Sequence, residues 1–163
     1  MEDNARVQIK CLIKGTVVLT DPNIPIRREW NKKGQIQSVP FGVLQDLIYQ
    51  PGVQAMFDEG ILEVEDQKVR IELGLETEGV EPEKVIMSEN QMLAALIGTP
   101  DDIAAALDKL PEAQKEEFVR LAVDKEFTDM AKVDIIKKKT GKDVLQLVKF
   151  NRQLKEESKS TNE

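Results

Sequence analysis

The sequence predicts an α+β fold. A small β-containing unit with short helices spans residues 1–75, and an acidic linker spans 76–87. An all-α bundle of four or five helices follows over 88–155, with a flexible polar tail over 156–163. Three observations predict this. Apolar and polar residues alternate near the N-terminus, which is the strand period. Apolar residues recur at three- and four-residue spacing from about residue 88 onward, which is the helix period. Aromatic residues make up only 4% of the chain, so the core is built from Leu, Ile, Val, Ala and Met, which pack readily between helices.

Val7, Ile9, Cys11 and Ile13 alternate with Gln8, Lys10 and Lys14, a half-buried strand pattern. Gly15 interrupts it, and Thr16 to Thr20 is a second β-prone run. The two read as an antiparallel pair or as one bent strand. Asp21-Pro22-Asn23 is a turn. Asn31-Lys32-Lys33-Gly34 reads as a hairpin tip with Gly34 at positive φ, and Ile26–Trp30 and Gln35–Val39 are then its arms. Pro40 opens a helix carrying Phe41, Leu44, Leu47 and Ile48, which Pro51-Gly52 ends. A short helix from Val53 to Glu59 stops at Gly60, and residues 61–65 return as a strand. Residues 67–73 alternate like a strand but end in Gly74 like a helix; the alternation favours a strand.

Beyond the Glu-rich linker every stretch reads as helix. Ser88 and Gln91 form a capping box, and Gly98 closes that helix. Thr99-Pro100-Asp101-Asp102 supplies a cap, a proline at the first position and two acids favoured by the helix dipole. Pro111-Glu112 opens a third helix through Phe118 and Leu121. Thr128-Asp129 caps a fourth, which ends at Thr140-Gly141. Asp143 caps the last, with Val144, Leu147, Val148 and Leu154 on one face.

Composition narrows the function classes. The 163 residues include no histidine and one cysteine. Ser-His-Asp and Cys-His nucleophile systems, His-ligated zinc and the commonest general base near neutral pH are therefore ruled out. No P-loop and no calcium-loop pattern is present, so no cofactor, metal or catalytic residue is assigned and the chain is read as a non-enzyme. Cys11 lies in an apolar run and reads as a small buried hydrophobe. The polar start MEDNARVQIK has no signal-peptide core, and no apolar run approaches the roughly 18 residues of a membrane span. The expectation is a cytoplasmic protein without a membrane partner.

Two basic clusters are candidate sites. Arg27, Arg28, Lys32 and Lys33 surround Trp30, the only tryptophan. Phosphate contact with base stacking on Trp30 is one reading, as single-strand binders do. A protein interface anchored by Trp and Arg is another, and a solvated hairpin held to the core by Trp30 is the third. Lys137, Lys138, Lys139 and Lys142 flank Thr140-Gly141, where the helix dipole alone favours cations, so they form the weaker candidate. Charge is also segregated: residues 76–130 hold 14 acids and 5 bases, and residues 131–163 hold 9 bases and 5 acids. Such a split is neutralised within one bundle or between neighbouring copies. The net charge of −7 disfavours non-specific nucleic-acid binding by the whole chain.

Residues 24–66, IPIRREWNKKGQIQSVPFGVLQDLIYQPGVQAMFDEGILEVED, resemble in style the small virion and accessory proteins of tailed bacteriophages. That resemblance implies a capsid, neck or tail component without catalysis, located in the host cytoplasm or the virion. The expected function is a structural or adaptor role through protein partners, in a homo-oligomer or larger assembly. A nucleic-acid-binding accessory or regulatory role through the Trp30 hairpin is the alternative.

Overall fold

The computed structural model describes residues 1–161. The fold is α+β, with five short strands and eight helices among the described residues. The chain divides into two compact units. The first comprises Met1–Glu83 with Pro111–Gln114, and the second comprises Lys84–Leu110 and Lys115–Glu163.

In the first unit, β1 (Arg6–Cys11) is the central strand of a three-stranded antiparallel sheet between β4 (Ile36–Pro40) and β5 (Leu62–Glu63). Val7 pairs with Val39 and Cys11 with Leu62. The alternation read from the sequence sends Val7, Ile9 and Cys11 into the core. A second sheet is the hairpin of β2 (Val17–Thr20) and β3 (Arg27–Trp30), in which Val17 faces Trp30 and Thr20 faces Arg27.

These pairings correct two expectations. β1 and β2 are neither partners nor one bent strand, and β3 and β4 are not the two arms of one hairpin. The reason lies in the connection at 21–26. The Asp21 carboxylate accepts from the Asn23 and Ile24 amides at 2.7 and 3.0 Å, and Gln50 donates to its other oxygen. This closes the turn and pairs β2 with β3. The 31–35 segment, with Gly34 at φ +85°, instead carries the chain from one sheet to the other. There the Gly34 amide donates to the Cys11 carbonyl at 2.7 Å.

Helix α1 (Phe41–Ile48) buries Phe41, Leu44, Leu47 and Ile48 against this core, as the spacing predicts. Helix α2 (Pro51–Asp58) starts at Pro51, so that proline opens a helix as well as following one. Residues 67–72 are helix α3, not strand. Asp66 caps it by accepting from the Lys68 amide at 2.9 Å, and Gly74 follows its end at φ +76°. Cap chemistry at both ends outweighs three alternating apolar residues.

In the second unit, α4 (Glu89–Ile97) and α5 (Pro100–Lys109) each begin with a capping box, Ser88 with Gln91 and Thr99 with Asp102. Helices α6 (Glu112–Asp124), α7 (Met130–Thr140) and α8 (Val144–Ser160) follow. Asp129 caps α7 and Asp143 caps α8, and Gly141 ends α7 in the left-handed conformation at φ +75°. Leu96, Ile103, Leu107, Leu110, Phe118 and Ile136 are at the centre of the core.

Two further expectations change here. The stretch from 156 onward, read as tail, continues α8 as helix to Ser160; Asn162 and Glu163 lie outside the described residues. The single apolar face expected on α8 is two faces, because Val144 and Val148 are buried while Leu147 and Leu154 are exposed. No helix among the described residues is long and apolar enough to cross a membrane.

Candidate functional site

The five residues of the first basic cluster have different environments. Trp30 is 0% exposed, and its indole N–H donates to the Ile9 carbonyl at 3.0 Å. As a stacking platform or interface anchor it is therefore corrected. Its place opposite Val17 turns the ring inward between the two sheets. Arg28 is half-buried, with its guanidinium donating to the Ser38 and Arg27 carbonyls at 2.8 and 2.9 Å. Arg27 is exposed and ion-paired with Glu29 at 3.0 Å. Lys32 and Lys33 are exposed on the 31–35 segment. The cluster thus keeps surface charge without an aromatic face.

The α7 lysines are drawn into local electrostatics. Lys139 pairs with Asp108 at 2.8 Å, and Lys137 lies 3.5 Å from Asp143, the α8 cap. Lys138 and Lys142 are exposed. The Asp108 carboxyl is held below the usual carboxylate range, chiefly by its hydrogen bond from Lys139. Arg152 of α8 forks onto both carboxylate oxygens of Glu126 at 3.2 Å and lowers its pKa in the same way. Acidic and basic stretches of the sequence therefore meet inside the second unit.

The feature that stands open is on α8. Its first turns are anchored by Val144 and Val148 in the core and by the Asp143 cap. From Lys149 to Thr161 every residue is exposed. Leu147 (37% exposed) stands just before this projecting part, and Phe150 (56%) and Leu154 (48%) lie along it. Their spacing of three and then four residues places them on one face. The Glu126-bound Arg152 occupies the opposite side of the helix, and the buried Val144 and Val148 lie between the two.

Sequence reasoning placed Leu147 and Leu154 on one face with Val144 and Val148, and it passed over Phe150. The signal available was the 3-4 spacing itself, offset from the Val144–Val148 pair by roughly a third of a helical turn. Among the described residues no group of three or more His, Cys, Asp or Glu side chains is arranged to hold a metal ion. Comparison with protein-family models, curated proteins and solved structures returns no match to this chain.

Proposed function

We propose that this chain is a non-enzymatic structural or adaptor protein that acts through protein–protein contacts, as a component of a phage particle or an assembly of that kind. The exposed apolar stripe on α8 carries the reading. An isolated helix shorter than about 12–15 residues is marginal in water, and the part of α8 beyond Val148 packs on nothing through its apolar face. Covering that face would add the transfer free energy of the exposed parts of three large side chains, on the order of 1 kcal/mol each. Helix-in-groove and helix-pairing contacts use apolar anchors at this spacing.

The resemblance of residues 24–66 to small phage virion and accessory proteins supports the particle as the setting. The segregated charge lends less support than the sequence suggested, since Lys139–Asp108 and Arg152–Glu126 join the two stretches within one unit. A single-strand nucleic-acid role loses its stacking surface with the enclosure of Trp30.

The test is affinity capture from lysate of the cells in which the protein is made, with wild type and the Phe150→Asp/Leu154→Asp variant as baits. Wild type is expected to capture a coat, portal or tail protein, or further copies of itself, and the variant to lose it. A wild-type bait that recovers neither would overturn the reading.

A further inference from the structure

We infer that the partner of the α8 stripe is α8 of a second copy of this chain, laid antiparallel across a two-fold axis near Arg152; this rests on the protein-contact reading above. Charge along the stripe selects this partner. With Leu147 and Leu154 at position a of a heptad and Phe150 at d, the flanking e and g positions are Gln146, Asn151, Gln153 and Ser158, none of them charged. Lys149, Arg152, Lys155, Glu156 and Lys159 all fall on the remaining positions, away from the stripe. In a chain with 33% charged residues, an apolar stripe edged only by amides and a hydroxyl suits a copy of itself. Two identical helices then bring no like charges together along the flanks of the seam, whereas a charged partner would call for charged edges.

Orientation follows from the next position along the stripe. Glu157 is the following d residue, one turn beyond Leu154. Parallel pairing sets Glu157 against Glu157 of the second copy in a desolvated layer. Antiparallel pairing centred near Arg152 separates the two carboxylates and sets each Glu157 at an outer end of the seam, opposite Leu147 of the second copy. It packs Phe150 on Leu154 of the second copy twice over, and brings Asn151 to its own counterpart on one flank and Gln153 to its own on the other. The contact is isologous, as a closed dimer requires. Its central Phe150 and Leu154 layers lie in the part of α8 that is exposed throughout. A seam this short buries less than the roughly 1,200 Å² of a standard interface, so the dimer forms in a concentration-dependent way.

The experiment is sedimentation equilibrium of the full chain over a concentration series reaching on the order of 1 mM, a range that detects weak pairing. Wild type is expected to pass from monomer to dimer. Phe150→Asp/Leu154→Asp is expected to stay monomeric with unchanged thermal unfolding. Asn151→Lys/Gln153→Lys and Asn151→Glu/Gln153→Glu each place like charges across an antiparallel seam. Each alone should dimerise at least about tenfold more weakly than wild type, and their equimolar mixture should recover the loss. A wild type that is monomeric throughout, a dimer that the stripe variant retains, or charge variants that dimerise alone as wild type does would each overturn the inference. A monomeric wild type that still captures an identified particle protein through the stripe would sink this inference and leave the protein-contact reading standing. A monomer that captures nothing would sink both.

Discussion

At the scale of single residues, burial decides what Trp30 is for. A ring enclosed between two sheets, with its N–H on the Ile9 carbonyl, contributes to the core of the first unit. Trp30→Ala is expected to cost about 3–5 kcal/mol, a loss measurable by denaturant titration. Because Trp30 is the only tryptophan, its emission also reports that unit: blue-shifted when folded, red-shifted on unfolding. An emission maximum already red in the native protein would contradict the assignment. Carboxylates set the acid limit. Hydrogen bonds hold Asp21, Glu76, Asp102, Asp108, Glu126 and Asp143 below their usual range. A depressed folded pKa gives stability that is present above the unfolded value and lost as pH falls through the folded one. Glu63, raised chiefly by burial, acts in the opposite sense. The melting temperature is therefore expected to hold from neutral to weakly acid conditions and to fall below about pH 4. A melting temperature that rose in that range would show that these bonds do not form. The sequence showed four cations around one aromatic residue but not the direction of the ring. That direction depends on the register with Val17, which is fixed only once β2 and β3 pair.

At the scale of elements, chain ends were more legible than chain faces. Caps are local: a side chain and a backbone amide two or three residues on. Ser88, Thr99, Asp129, Gly141 and Asp143 could therefore be read directly, and all five occupy the expected cap positions. Removing the Ser88 hydroxyl in Ser88→Ala is expected to cost about 1 kcal/mol, and a chemical denaturation curve shifted by less than about 0.3 kcal/mol would mean the box contributes little. Strand partners are not local. Gly34 does sit at the positive φ that a 26–39 hairpin needs, yet a turn residue specifies a reversal without specifying which strands pair. Residues 67–72 show the same limit, since a short alternating run fits a strand or one face of a helix until Asp66 and Gly74 are weighed together. On α8, periodicity marked apolar positions but could not say which were covered by the protein's own core. Phe150 was missed for that reason.

At the scale of the whole molecule, the α+β division seen in the hydrophobic periods is present, and the acidic stretch between the periods is shorter as a link than its composition implied. Glu76 is held by Gln67 and Arg70, and the Val85 amide donates to the Lys109 carbonyl. Residues 77–83 are exposed, and limited proteolysis is expected to cut there first; an initial cut inside α6 or α7 would contradict it. If the exposed apolar face of α8 is covered by another protein surface, amide hydrogen exchange over residues 149–160 reads the covering at the helix itself. In dilute protein these amides should exchange quickly, because among the described residues this part of α8 is held by the Glu126–Arg152 pair and its own helical bonds. Protection should grow with protein concentration, and Phe150→Asp/Leu154→Asp should abolish that growth. Exchange over 149–160 that is identical at every concentration, and identical again when the captured partner is added, would contradict the account.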